Sequence, residues 1–291
     1  MLRNVFKVRK EINVTRFALL GFLTDYIEAL IANKPNNVPL SPAARVTFNG
    51  EQRQLGNNDI WRRARIFPQR QTFVDTQTDT VVFFGAVSNE LRGAGIPKNL
   101  DFLEGFYKLL VIRLHIAENL IDGVEEVSID HKIASFPADL KDVRLPDLLL
   151  EMPEPQEERV GRDALLQIAD SYWESIARTS DVADMPVHPD VYRYENGSRC
   201  TDMARTFLQD FTLENFRWDT PKNERFYHIV DEARQIVVSS QVFYREPYAS
   251  GLPSDSKGFY AYEVFKINGG RIRAIMAFWR MYQIKSGWSK T

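Results

Sequence analysis

The sequence predicts an α+β fold built from two tandem copies of one cone-shaped domain, each a curved antiparallel sheet packed on helices. Three observations predict it. The chain of 291 residues repeats itself, each copy runs from helical to strand-like periodicity, and a Pro-rich acidic stretch separates the copies. DYIEALIANKPNNVPLSPAARVTFNG, ending at Gly50, runs parallel to SYWESIARTSDVADMPVHPDVYRYENG, ending at Gly197. Tyr26 then matches Tyr172, Pro39 matches Pro186, Pro42 matches Pro189, and Asn49-Gly50 matches Asn196-Gly197. Further on, DTVVFFGAVSN parallels RQIVVSSQVFYRE, and KLLVIRLHIAENLIDGVEEV parallels YAYEVFKINGGRIRAIMAF.

Within each copy the first element is an amphipathic helix. Phe17, Leu20, Leu23, Ile27, Leu30 and Ile31 follow a 3.6-residue period, and Leu165, Ile168, Tyr172, Trp173 and Ile176 repeat it. After each NG turn a short second helix is expected, in LGNNDIWRRARIF and in TDMARTFLQDF, with Asn57 and Thr201 as caps. Three or four strands rich in Val, Ile, Phe and Tyr follow, joined by turns such as INGGR and by the longer REPYASGLPSDSKG. The sheet must curl around its helices to bury its apolar face. The joint is ADLKDVRLPDLLLEMPEPQEERVGRD, and the boundary is placed near Pro153, giving copies over 1–153 and 154–291.

Composition excludes several classes. Hydrophobic residues make up 44% and charged residues 26%, which is ordinary for a globular chain. Lys plus Arg number 37 against 39 Asp plus Glu, a net charge of -2 that gives no field for gathering nucleic acid or a membrane surface. Asp25 and Glu28 interrupt FALLGFLTDYIEALIA, unlike a signal peptide or spanning helix, so a cytoplasmic location is expected. The single Cys200 forms no internal disulfide, and the four histidines show no metal-ligand spacing. No Walker, Rossmann or nucleophile-elbow motif appears, so the expected cofactor is none: no nucleotide, flavin or metal.

The order of elements, with an early helical tyrosine and a final FKINGGRIRAI-like turn, resembles the nuclear transport factor 2-like superfamily, also called SnoaL-like, over nearly the whole chain, twice. More narrowly, RYENG, RFYHIVDEARQIVVSSQVF, YEVFKINGGRIRAI and the terminal SGW resemble a tandem family of bacterial and fungal proteins. The resemblance implies a conical apolar cavity. It names no single reaction, since that superfamily holds ketosteroid isomerases, scytalone dehydratase, polyketide cyclases and non-catalytic adaptors. Sphingomonad lyases that remove formaldehyde from lignin-derived diaryl compounds share the fold, and the aromatic content here suits such a substrate by analogy. Function must be argued from the cavity.

Strand alternation picks the inward positions. Ile112, Leu114 and Ile116 of the first copy match Glu263, Phe265 and Ile267 of the second, which places Glu263 on the cavity face. A carboxyl there has its pKa raised by desolvation and is poised for proton transfer, unless an Arg holds it as a structural pair. Val46 and Phe48 match Arg193 and Glu195, which either bond each other as scaffold or line a polar pocket with Glu263. The first copy reads FNG where the second reads ENG, which puts catalysis in the first copy in doubt.

Tyr172 sits where ketosteroid isomerase and scytalone dehydratase carry substrate-binding tyrosines, so the resemblance implies an electrophilic role; a core tyrosine is the alternative, and Tyr26 is its weaker counterpart. His228 is a proton shuttle if it faces the cavity and a structural residue if it does not. Arg245 and Arg280 either bind an anionic or phenolic group or stack at the surface, and Trp279 is either core or cavity wall. The function expected is a cofactor-independent lyase or isomerase acting on a hydrophobic aromatic or polyketide-like molecule, retro-aldol release of formaldehyde being one version. A non-catalytic binding or scaffold protein is the competing reading. No nucleic acid or membrane partner is expected, and a homodimer and a monomer are equally open.

Overall fold

The structure is a computed structural model, and it describes residues 15–89, 107–129, 145–178, 185–202, 218–245 and 258–281. The first copy opens with helix α1 (Arg16–Ile31), capped by Thr15, whose side chain accepts from the Ala18 amide. Strands β1 (Leu40–Phe48) and β2 (Glu51–Gln52), helix α2 (Asp59–Arg63), and strands β3 (Ile66–Asp75), β4 (Thr80–Ser88), β5 (Tyr107–Ala117) and β6 (Leu120–Ile129) complete it. A short helix α3 (Leu148–Glu151) lies in the joint. The second copy has α4 (Arg162–Arg178), β7 (Val187–Glu195), β8 (Ser198–Asp202), β9 (Trp218–Asp219), β10 (Arg225–Asp231), β11 (Ile236–Arg245), β12 (Gly258–Asn268) and β13 (Arg271–Met281).

The two sheets share one strand order. The first reads β2-β1-β6-β5-β4-β3 and the second β8-β7-β13-β12-β11-β10, with β9 added beside β11. Two tandem α+β domains of one pattern are therefore present, as the repeat predicted. The sheets are mixed rather than wholly antiparallel, because in each copy the first strand joins the last in parallel, β1 on β6 and β7 on β13. Sequence alternation cannot reveal this, since a strand's residue pattern is the same whichever way its neighbour runs. Register shifts in these parallel pairs, at Leu40/Arg45 and at Ile272/Ala274, bend the sheets where β1 and β7 carry Pro42 and Pro189. The NG turns also match: Asn49 and Gly50 have φ of 52° and 80°, Asn196 and Gly197 47° and 90°, a two-residue loop that Asn and Gly tolerate best.

Each sheet carries its helix on one face. Leu19, Leu23, Tyr26 and Leu30 of α1 pack against Val46, Phe83, Ile112 and Leu114, and Leu165, Ala169, Tyr172 and Trp173 of α4 against Val237, Phe243, Phe265 and Ile275. The opposite faces of the two sheets meet in a third core that includes Phe84, Val111, Val127, Val238, Tyr262 and Phe278. The copies thus pair through their sheets within one chain. The second short helix of the first copy begins at Asn58, which caps Trp61, rather than at Asn57. In the second copy Thr201 belongs to β8, and the helix expected after it lies outside the described residues. No described helix is long and apolar enough to cross a membrane.

The joint is strapped to both copies. Lys266 is fully buried and donates to the Met152 and Arg234 carbonyls at 2.6 and 2.7 Å while pairing with Glu154 at 2.6 Å. The Asp147 amide and carbonyl meet the Gln71 side chain at 3.2 and 2.9 Å, and its carboxylate accepts from the Tyr192 hydroxyl at 2.6 Å.

Polar groups are set into the core between the sheets. Glu125, wholly buried, faces the hydroxyls of Tyr260 at 3.2 Å and Tyr262 at 2.5 Å. Tyr260 also lies 2.8 Å from the Ser240 hydroxyl, which meets His228 Nε2 at 2.7 Å. Burial first, and the positive Arg113 second, hold the His228 pKa well below its ordinary 6.5. The unfolded chain therefore binds a proton that the folded chain refuses, and this destabilises the fold as pH falls below about 6.5. In urea denaturation the stability difference between wild type and His228→Gln is expected to shift against wild type from pH 7.5 to pH 5. A constant difference across that range would show that His228 does not set it.

Candidate active site in the second copy

The helix-bearing face of the second sheet gathers the charged residues that alternation singled out. Residue 263 of β12 lies opposite Ser239 of β11 and Ala277 of β13, and Ala277 lies opposite Glu195 of β7. The first copy has Ile112 between Phe83 and Glu126, with Phe48 beyond. The matching of Ile112 with Glu263 and of Phe48 with Glu195 is thus met strand by strand, and Val46 and Arg193 fall one rung away, beside Val124 and Ile275.

Within the second copy Arg193 pairs with Glu195 through a short ion pair, and its guanidinium stands 6.0 Å from the centre of the Tyr172 ring. The Arg193–Glu195 pair is real, and it lies next to Glu263 rather than apart from it. Glu263 is buried to 2% exposure. Desolvation pushes its pKa up to about 8, and Glu195 adds to the rise, while Arg193 and the Tyr172 hydroxyl oppose it. Burial also raises the Tyr172 hydroxyl well above 10, against the pull of Arg193. A neutral acid, a neutral phenol and a compensated ion pair therefore share one apolar enclosure. Such a group can exchange a proton near neutrality, whereas an exposed Glu is almost wholly ionised there.

Trp279 borders this face at 8% exposure, packed against Phe259 at 5.4 Å, with its backbone clamped by Asn196 at 2.9 and 3.2 Å. Tyr26 does not join it. In the first copy Tyr26, Trp61 and Asn58 donate to Glu126 at 2.9, 2.8 and 2.7 Å, and burial, which raises the Glu126 pKa, is opposed by these donors. The first copy therefore has a polar interior after all. Its carboxylate stands on β6 instead of β5, and three donors of the same copy end on it. Tyr26→Phe is expected to cost about 1.5–3 kcal/mol, the worth of one hydrogen bond to a buried charge, in urea denaturation. A variant as stable as wild type would contradict that arrangement.

Two expected site residues face the other way. His228 lies on the opposite side of the sheet, stacked at 5.2 Å on Tyr262 in the core between the copies. A helical-side shuttle next to Glu263 is ruled out by strand parity, which the bulge between Tyr227 and Ile229 obscured in the sequence. Arg280 also points between the copies, donating to the Ser128 carbonyl at 2.9 Å. Arg245 ends β11, and its side chain lies outside the described residues. Cys200 is an exposed thiol on β8.

Sequence reasoning missed three groups on the site's own face. Among the described residues the indole Nε1 of Trp173, the amide Nε2 of Gln241, the hydroxyl of Thr201 and Glu263 Oε2 are buried with no hydrogen-bond partner. Trp173 and Gln241 were readable as inward by helical and strand period, but nothing in a sequence marks a polar atom as unsatisfied.

Strand order, parallel closure and the helix-bearing face define the class as two tandem α+β domains of one pattern. A family model described as Domain of unknown function (DUF8021) matches residues 158–279. A search of the curated proteins finds no match. Among solved structures, a protein of unknown function with a cystatin-like fold from Methylobium petroleophilum PM1 is 15% identical, covering 42% of this chain and 78% of that one at a TM-score of 0.34. A LEH-like epoxide hydrolase of M. tuberculosis is 14% identical, covering 42% and 87% at 0.33. An NTF2-like protein from Burkholderia thailandensis E264 is 15% identical, covering 38% and 89% at 0.26. Likeness at this level says nothing of reaction or substrate.

Proposed function

We propose that the second copy is a cofactor-independent lyase or isomerase that moves a proton on a hydrophobic aromatic or polyketide-like small molecule. The observation that carries this reading is the buried Glu263 carboxyl, raised to about 8 beside Tyr172 and the Arg193–Glu195 pair. In the ionised form Glu263 takes a proton from the substrate. The Tyr172 hydroxyl and the Arg193 guanidinium then stabilise the oxyanion that develops, with Glu195 holding Arg193 in place. The first copy, whose carboxylate is saturated by its own donors, serves as a scaffold.

A narrower form of the reading is retro-aldol loss of formaldehyde from a lignin-derived diaryl compound. There the base removes the hydroxyl proton, the carbon–carbon bond breaks to release formaldehyde, and its electron pair stays on the remaining carbon framework, which then takes back a proton or expels a neighbouring ether oxygen. The competing reading is a binding module, which the first copy favours because its buried carboxylate is already held by three donors of the protein itself.

The test is mass spectrometry of the purified protein incubated, with no cofactor added, with lignin-derived dimers, steroid enones and polyketide-like phenols. Conversion of one class is expected, and formaldehyde loss would select the narrower form. No conversion, together with a ligand-dependent rise in melting temperature, would transfer the assignment to the binding module. The domain boundary near Pro153, a cytoplasmic location and the absence of nucleic acid, membrane and cofactor belong to the same proposal.

A further inference from the structure

Buried polar atoms in native proteins are paired almost without exception, so those left over on one face call for an explanation. In the first copy the interior donors Tyr26, Asn58 and Trp61 all end on Glu126. The second copy has Ala277 at the position of Glu126, and its carboxylate sits one strand away at residue 263. Two other donors, Trp173 on α4 and Gln241 on β11, stand on the helix-bearing face of the second copy. Trp173 is fully buried, and its ring packs edge-on against Tyr172 at 4.6 Å, Phe265 at 5.4 Å and Phe243 at 5.5 Å, yet its N–H meets no acceptor. Gln241, also fully buried, accepts from the Ser239 hydroxyl at 3.2 Å through Oε1 while its Nε2 has no partner. An indole can only donate, so a core position with no acceptor would be served better by phenylalanine.

We propose that the helix-bearing face of the second copy selects a neutral molecule with an apolar body and a carbonyl-type acceptor oxygen, which the Trp173 Nε1 and Gln241 Nε2 hydrogens hold. The inference rests on the reading of this face as a ligand site and adds the ligand's chemistry and two positioning residues. Charge argues for neutrality. Arg193 is paired with Glu195, so a fully charged carboxylate or phosphate ligand would have to share that cation with Glu195, whereas a neutral acceptor brings no charge to be balanced. The spare groups are donors, and donors call for an acceptor. The rings packed around these donors, Phe243, Phe265 and Trp279 among them, suit a flat apolar body.

The probes are 2-acetylnaphthalene, its hydrocarbon counterpart 2-ethylnaphthalene and the anion 2-naphthoate, titrated at pH 7 by calorimetry and by the indole N–H resonances of the ¹⁵N-labelled full chain. The ketone is expected to bind about tenfold more tightly than either comparator, as for one satisfied buried donor. It should also shift the Trp173 indole proton downfield, which the hydrocarbon should not do. Trp173→Phe should lower ketone affinity about tenfold and leave hydrocarbon affinity within about twofold. If that variant does not fold, the wild-type indole resonance decides. Equal affinity for ketone and hydrocarbon, tighter binding of the naphthoate, no binding of any probe, or an unmoved Trp173 resonance would overturn the proposal. The catalytic reading fails separately: a ketone preference without turnover of any panel compound leaves this inference standing, and turnover dependent on Glu263 without the preference removes it.

Discussion

Glu263→Gln is expected to lower kcat on any accepted substrate by a factor of about 10²–10⁴, the usual worth of a positioned acid–base group, with KM changed far less. Glutamine keeps the size of the side chain and loses only the proton. A second effect makes the loss interpretable. Glu263 titrates near 8 in the folded protein against an ordinary 4.5, so the folded state holds its proton more tightly than the unfolded one. The stability this contributes is complete below about pH 4.5 and is lost as pH rises through about 8, where ionising the buried carboxyl becomes costly. Glu263→Gln should therefore be more stable than wild type at pH 9 while being nearly inactive, a combination a merely structural residue cannot give. Undiminished turnover would remove Glu263 from the chemistry, and lower stability at pH 9 would make it part of the scaffold.

Glu125→Ala carries the second large effect, about 3–5 kcal/mol of lost stability, because it breaks a buried charged cluster from one side. Glu125 faces Tyr260 and Tyr262 of the other copy and lies opposite Arg113 on β5. Without it the Tyr262 hydroxyl loses its acceptor, the Tyr260 hydroxyl is left with Ser240, and Arg113 loses the carboxylate on its neighbouring rung. The urea midpoint should fall sharply, and amide protons of β6 and β12 should exchange faster together, since the pairing of the copies weakens as a unit. A loss below about 1 kcal/mol would show that the apolar part of this interface, Phe84 on Phe278 at 5.2 Å above all, holds the copies without the inlay.

The repeat was legible in the sequence because each copy keeps the period and the turn. Tyr26 and Tyr172 lie on matching helices, the NG pairs both adopt positive φ, and residue 263 falls on the rung assigned to it. Strand parity alone placed Arg193, Glu195 and Glu263 on one face. What parity could not carry was any feature that depends on two strands meeting. The parallel pairing of β1 with β6 and the bulge that turns His228 away are such features, and so is the closing of Glu126 by three donors from elsewhere in the chain. Glu125 and Glu126 make the point at the scale of one peptide bond: neighbours in sequence, one reaches into the core between the copies and the other into the first copy's interior. The face each one takes is set by the strand, and the partner each one finds is set by the fold.

On the proposed reading Glu263 carries an exchangeable proton at neutral pH. Carboxyl ¹³C NMR of the protein labelled at glutamate, titrated from pH 4 to pH 10 with Glu263→Gln for assignment, measures it without any substrate. The resonance that disappears in the variant should titrate with a midpoint near 8. A midpoint within the ordinary glutamate range, near 4.5, would mean that water or a cation reaches the carboxylate and that this face is not built for proton transfer.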